Sequence, residues 1–268
     1  LLAHGVVGGA AELGVITLGR TGQMWSAEKF DAANRLIASG IGDSAIARQI
    51  GVPRATVRDW RRQRQIRPRL VSTTPCSVIH DFSNLPAAAY CHILGLYLGD
   101  GCVSRSRRVW RLRITLDSKY PGIINRCREA IDTLMPNQHA AVLQHPKNCV
   151  EVSLCSKHWP CRLPQHGAGK KHTRTIRLEP WQEVLGKEAT EDFIRGLIHS
   201  DGCRVVANDR GVRSIRYHFS NLSEDILGLF TSALDDLGIP WTRSTKKIVS
   251  VYRKAATARL DEFIGPKC

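Results

Sequence analysis

Two stretches of the chain place apolar residues at helical spacing and are near copies of one another: CHILGLYLGDGC at 91–102 and DFIRGLIHSDGC at 192–203. Ile93, Leu96 and Tyr97 in the first, like Ile194, Leu197 and Ile198 in the second, fall at i, i+3 and i+4 and predict helices with one apolar face. At an offset of 101 residues the stretches agree at six of twelve positions. Gly95 and Gly99, like Gly196 and Ser200, lie four apart and leave a strip poor in side chains, where another backbone can approach closely. Each copy stops at Asp-Gly. Gly101 and Gly202 are expected to adopt the left-handed conformation that caps a helix C-terminus, which puts Asp100 and Asp201 at helix ends.

The period then changes from helical to alternating. Trp110, Leu112, Ile114 and Leu116 point to one side of a predicted strand and Arg111, Arg113 and Thr115 to the other. In the second half Ile215, Tyr217 and Phe219 alternate with Arg216, His218 and Ser220. Amphipathic helices follow at 121–135 and 223–238, and second hairpins at about 140–155 and 241–253. The order after each opening helix is strand, strand, helix, strand, strand, helix, an α+β layout used twice.

The N-terminal part reads differently. A helix from Ser26 to about Ser39, a second from Ser44 to Ile50, the turn Gly51-Val52-Pro53 and a helix over 54–63 have helix-turn-helix spacing, with Ile46, Ile50, Val52, Val57 and Trp60 as shared core. The pattern resembles the DNA-binding modules of resolvases and transposases. On the last helix Arg54, Thr56 and Arg58 are placed to reach base edges. Arg61 and Arg62, with Arg64, Arg67 and Arg69 beyond, are placed to meet phosphates. Residues 1–23 read as a disordered extension or as translated upstream sequence, 24–70 as the helix-turn-helix domain, 71–85 as linker, 86–187 as the first repeat and 188–268 as the second.

Charge narrows the partner. Lys and Arg number 39 against 24 acids, a formal charge of +15, which favours a polyanion. Nine cysteines without framework spacing indicate a reducing, cytoplasmic setting, and no stretch has the apolar length of a membrane span. Cys155, His158, Cys161, His166 and His172 match no zinc spacing. The aspartates are the unusual feature. A helix C-terminus carries partial negative charge and disfavours a carboxylate by roughly 0.3–1 kcal/mol. If the two helices pack strip to strip, Asp100 and Asp201 converge and repel unless a cation lies between them, for which hard carboxylate ligands suit Mg²⁺ or Mn²⁺.

Ile93 to Gly101 and Ile194 to Gly202 resemble, position by position, the signature of the LAGLIDADG homing endonucleases. The family's earlier acidic position is Leu98 in one copy and His199 in the other. Two copies in one chain resemble the monomeric members. The resemblance implies two pseudo-symmetric αββαββα repeats with saddle-shaped sheets, preceded here by a small all-α helix-turn-helix domain. It implies a monomer with internal pseudo-twofold symmetry acting on double-stranded DNA. It also implies that Asp100 and Asp201, with the backbone carbonyls of Gly99 and Ser200, hold divalent metal for a double-strand break. A family lysine helps activate the attacking water or stabilises charge; by position Lys170 or Lys171 and Lys267 are the candidates, each after a small-residue turn. Arg105, Arg107, Arg108, Arg111, Arg113, Arg213, Arg216 and His218 would contact DNA from the sheets. The competing expectation is a transcriptional regulator whose LAGLIDADG-like domain binds without cutting. An intein is disfavoured, since Ile-Gly-Pro-Lys-Cys lacks the His-Asn dipeptide of splicing.

Overall fold

The computed structural model describes residues 16–18, 24–62, 76, 78 and 80–268. The chain divides into two compact units, Leu1–Val78 and Ile79–Cys268. Arg64, Arg67 and Arg69 and most of the segment before residue 24 lie outside the described residues.

In the first unit a short hairpin, β1 (Ile16–Leu18) with β2 (Met24–Ser26), precedes α1 (Ala27–Ala38), α2 (Asp43–Ile50) and α3 (Arg54–Arg62). Three residues of the stretch expected to be unstructured are therefore paired. Ser26 stands at the N-cap of α1 without a hydroxyl cap bond. Gly51 ends α2 at φ 65°, a left-handed conformation that costs glycine nothing and turns the chain into α3. Ala33, Ile37, Ile46, Val52, Val57 and Trp60 form the core, and Phe30 meets Trp60 edge to face at 5.3 Å.

The second unit is α+β and repeats one plan twice. The first repeat runs α4 (Ala87–Asp100), β3 (Gly101–Ser106), β4 (Val109–Asp117), α5 (Pro121–Leu134), β5 (Ala141–His145), β6 (Cys149–Ser156) and α6 (Trp159–Arg162). After α7 (Pro180–Glu188) the second runs α8 (Thr190–Asp201), β7 (Gly202–Asp209), β8 (Val212–Ser220), α9 (Glu224–Asp236), β9 (Thr242–Thr245), β10 (Ile248–Val251) and α10 (Lys254–Phe263). The sheets have equivalent strand orders, β3-β4-β6-β5 and β7-β8-β10-β9, all neighbours antiparallel.

The helices α4 and α8 form the centre. Ten residues of α4 are buried, so its apolar character wraps around the helix, as befits a core element packed on all sides. Glycine permits the crossing: a Cβ on Gly95 would stand 2.6 Å from the Phe193 carbonyl oxygen and 2.7 Å from the Leu197 nitrogen. A Cβ on Gly196 would collide with the His92 carbonyl oxygen. Below each sheet lie its inward strand residues, Leu112, Ile114, Leu116, Val150, Val152 and Leu154 in one repeat and Tyr217, Phe219, Val249 and Val251 in the other.

Gly101 and Gly202 correct one expectation. Their φ values are −95° and −110°, extended and not left-handed, because each helix runs straight into a strand. They are constrained by proximity: a Cβ on Gly101 would lie 2.5 Å from the Tyr97 Cα, and one on Gly202 2.7 Å from the Ile198 Cα.

Candidate metal and nucleic-acid site

The glycine strip sets the position of the acids. Because α4 and α8 touch backbone to backbone, their C-termini end together, and a Cβ on Gly99 would lie 3.2 Å from the Asp201 Cγ. Asp100 is held up at about pH 6, first by burial and then by repulsion from Asp201, with Lys171 and Lys267 partly offsetting both. Asp201 is also raised by burial, against the pull of Lys171, Asn221 and Lys267.

The lysines enter from the ends of the repeats. Lys171 Nζ donates to the carbonyls of Leu98 at 3.0 Å and Gly99 at 2.6 Å, and Lys267 Nζ donates to that of His199 at 2.9 Å. His199 and Leu98 are equivalent positions, so the pseudosymmetry of the helices extends to their lysines. Each ammonium neutralises the negative end of its own repeat's helix. Each is nevertheless attracted most strongly by the carboxylate of the opposite repeat, Lys171 by Asp201 and Lys267 by Asp100. Burial lowers both lysines, Lys171 to about 8, which leaves it mostly protonated at neutral pH. Lys170 is exposed and lines the same cavity, of about 440 Å³, as Lys171, Asp201 and Asn221.

Asn221 escapes a reading of the sequence. Its Nδ2 donates to Asp201 Oδ2 at 2.7 Å, while its Oδ1 accepts from the Ser223 nitrogen at 2.8 Å, which fixes the orientation of the amide. The equivalent position in the first repeat is Ser118: Ser118 and Asn221 each donate a backbone N–H to the second hairpin, at Asn148 and Lys247. Among the described residues Asp100 receives no corresponding side-chain bond. The sequence offers one cue to Asn221, its position at the end of the alternating run.

The donor set fits a hard divalent cation: two converging carboxylates with carbonyl oxygens beside them. A metal using the Gly99 carbonyl would share that oxygen, which has two lone pairs, with Lys171. Without metal, burial and repulsion act only on ionised Asp100, so the folded state binds a proton between the ordinary carboxylate range and about pH 6 that the unfolded chain does not. The contribution of Asp100 to stability therefore falls as pH rises through this window. His92 and His199, held below their ordinary pKa first by burial, act in the opposite direction, so the Asp100 contribution is read by difference. Metal-free Asp100→Asn is expected to gain more in melting temperature over the parent at pH 7 than at pH 5, and Mg²⁺ to raise the melting temperature of the parent at pH 7.5 but little at pH 5; calorimetry with and without EDTA checks this.

Register sorts the cationic residues. On the outer face of the first sheet, Arg111 donates to Glu151 Oε1 at 2.5 Å and Ser153 Oγ at 2.9 Å, and Arg113 to Cys102 Sγ at 3.4 Å. In the second sheet Arg216 is tied to Asp209, and His218 Nδ1 lies 2.8 Å from Ser250 Oγ; burial and Arg216 hold His218 below its usual pKa. Arg107 and Arg108 are exposed at the β3–β4 turn.

Four expectations need correction. Arg105 pairs with Trp110, so alternation puts it on the opposite face of the sheet from Arg111; Arg213, three residues from Arg216, is likewise on the other face. Thr56 is 4 % exposed and packs in the core of the first unit, out of reach of a base edge. Arg61 donates to Asp43 Oδ1 at 2.6 Å and the Ile41 carbonyl at 2.5 Å, bracing α3 to the start of α2 and not facing outward. Arg54, Arg58 and Arg62 remain exposed on α3.

Fold and site together define a two-repeat α+β protein with paired carboxylates at its central helix ends. Among solved structures, the chain is similar to the homing endonuclease I-DmoI in complex with DNA and Ca, at 15% identity and a TM-score of 0.43, over 66% of this chain and 89% of that one. It is also similar to the LAGLIDADG meganuclease I-AabMI bound to uncleaved DNA, at 12% identity and a TM-score of 0.40, over 65% and 82%. A third is the N-terminal LAGLIDADG domain of DUF199/WhiA, at 16% identity and a TM-score of 0.42, over 68% and 87%. No family model and no curated protein matches the chain. Among the described residues no helix is long and apolar enough to cross a membrane.

Proposed function

We propose that the protein is a site-specific DNA endonuclease that makes a divalent-metal-dependent double-strand break. The observation that carries this reading is the convergence of Asp100 and Asp201 at touching helix ends, each sharing a cavity with a half-buried lysine from the opposite repeat. Asp100 and Asp201 would hold Mg²⁺ or Mn²⁺, with the Gly99 and Ser200 carbonyls beside them. When bound, the metal supplies an acidified water and neutralises charge at the attacked phosphate. Lys171 and Lys267 place positive charge where the phosphate must approach, and Asn221 orients Asp201. Lys170, exposed at the cavity, is suited to a phosphate contact. Two acids facing two strands supply the pair of cuts. Arg107, Arg108, Arg111, Arg113, Arg216 and His218 would follow the DNA along the two sheets.

The test is cleavage of a randomised duplex library with and without Mg²⁺. Cut ends in the presence of metal support the reading, and intact DNA under all conditions overturns it. One observation favours a second reading, a regulator that binds without cutting: the Gly99 carbonyl is already engaged by Lys171. Tight, metal-independent binding without cut ends would support it.

The first unit would recognise DNA as a helix-turn-helix, with α3 in the major groove. Arg62→Ala is expected to weaken duplex binding about five- to tenfold and to flatten its salt dependence by about one phosphate's worth, with folding unchanged. Arg61→Ala is expected instead to lower the melting temperature of this unit, since it removes the brace to Asp43 and Ile41. Salt-titrated binding and circular dichroism separate the two outcomes.

A further inference from the structure

The segment between α6 and α7 is organised by one side chain. Arg174 Nη1 donates to the carbonyls of Gly167 at 2.7 Å, Ala168 at 3.2 Å and Gly169 at 3.2 Å, and its Nη2 donates to that of Gln165 at 2.9 Å. Four carbonyls within five residues are thus turned inward on one guanidinium, whose fixed fork suits such a cluster. Gly169, at φ 77°, lets the chain close the curl. The loop emerges into a single 3₁₀ turn, Lys171–Thr173, tightened by the bond from Thr173 Oγ1 to the Lys170 carbonyl at 2.8 Å. From this turn Lys171 reaches the Leu98 and Gly99 carbonyls, its Nζ 5.3 Å from the centre of the Tyr97 ring.

Lys267 is delivered by different means. The carbonyl of the next residue, Cys268, accepts from the backbone nitrogens of Gly122 at 3.0 Å and Ile123 at 3.3 Å, which docks this segment on the first turn of α5. The pseudosymmetry of the two lysines is therefore reached by two unrelated anchors, the Arg174 guanidinium in the first repeat and, in the second, the backbone bonds to Cys268 together with one from the Tyr217 hydroxyl to the Gly265 carbonyl at 3.4 Å.

We propose that Arg174 is a positioning residue for Lys171: by gathering the 165–169 carbonyls it fixes the turn from which the ammonium reaches the C-terminus of α4. Its effect on cleavage rests on the nuclease reading above; its effect on Lys171 does not.

The full-length Arg174→Ala and Arg174→Gln proteins are compared with Lys171→Ala and with the double variant Arg174→Ala/Lys171→Ala. Two measurements are made, single-turnover cleavage with duplex affinity, and the acetylation rate of each lysine by mass spectrometry. Arg174→Ala is expected to lower the cleavage rate roughly 10- to 100-fold with affinity changed less than about threefold, and the double variant to be no slower than Lys171→Ala, because residues acting through one another are not additive. Lys171, held against the Leu98 and Gly99 carbonyls in the parent protein, is expected to acetylate there at a rate several-fold different from that of the exposed Lys170 and to approach the Lys170 rate in both Arg174 variants. A double variant slower by the product of the single effects, or a Lys171 whose acetylation rate is unchanged in both variants, overturns the proposal. If the parent protein leaves all DNA uncut, the nuclease reading fails, and acetylation still decides the role of Arg174. Should Arg174→Ala not fold, Arg174→Gln carries both measurements.

Discussion

Asp100→Asn and Asp201→Asn are each expected to lower the rate of strand cleavage by on the order of 10²–10³-fold or more while leaving duplex binding intact. The expectation follows from what each carboxylate does in the folded protein. Asp100 is exposed and Asp201 partly exposed at the helix ends, yet desolvation raises both and Asp201 repels Asp100, so their charges destabilise the metal-free state. Asparagine removes that repulsion and keeps the shape of the side chain, so both variants should fold and melt at equal or higher temperature without metal. Duplex affinity should be unchanged or tighter, since a negative charge has been removed from a surface that approaches phosphate. The stabilisation by Mg²⁺ at pH 7.5 should shrink with the activity. The substitutions should not be equivalent: Asn221 holds Asp201 through its Nδ2 and would hold the replacement amide by its oxygen in the same way, whereas Asp100 has no such partner among the described residues. Single-turnover assays on duplexes labelled in either strand read both the loss and the asymmetry. Undiminished cutting by either variant would remove the aspartates from the chemistry.

The sites that sequence can reach are those whose geometry is local. Gly95 and Gly99 at helical spacing, and Asp-Gly at the end of each run, define a strip and an acidic tip without knowledge of anything distant in the chain, and the alternation of Leu112, Ile114 and Leu116 defines a buried face by itself. What depends on long-range contact is hidden. Asn221 lies 20 residues from the aspartate it orients, and nothing in the order of residues pairs them. Lys170 and Lys171 are indistinguishable in a glycine-rich stretch; only the turn made by Arg174 decides that the second points inward. Thr56 reads as a base contact because it lies between two arginines on a short helix, but one turn of α3 must face the core, and Thr56 shares that face with Val57 and Trp60. Composition misleads again at Arg105 and Arg213, where a basic hairpin looks uniform until register assigns each residue to a side of the sheet.

The central crossing gives the largest expected effect on stability. Gly95→Ala and Gly196→Ala should each destabilise the protein by about 1–3 kcal/mol or more, at the upper end of what overpacking usually costs, because the added methyl meets backbone and not a side chain able to swing aside. For Gly95 the obstacles are the Phe193 oxygen at 2.6 Å, the Leu197 nitrogen at 2.7 Å and the Gly196 carbonyl carbon at 2.9 Å; for Gly196 they are the His92 oxygen and, at 3.0 Å, the Gly95 Cα. The two sites face one another, so the double variant should cost less than the sum of the singles: once the helices have parted for one methyl, the second finds room. Gly186 in α7 and Gly228 in α9 provide the contrast. A Cβ at either meets nothing within 4 Å, and alanine there should stabilise by roughly 0.5–1 kcal/mol through helix propensity alone. The same parting of α4 from α8 separates the tips that carry Asp100 and Asp201, so Gly95→Ala should lose cleavage at temperatures where it is still folded and still binds DNA. Denaturant melts of the four single variants, with cleavage measured below each transition, check both halves. A Gly95→Ala protein as stable as Gly186→Ala would mean that the helices do not meet backbone to backbone, and the convergence of the two carboxylates would lose its structural cause.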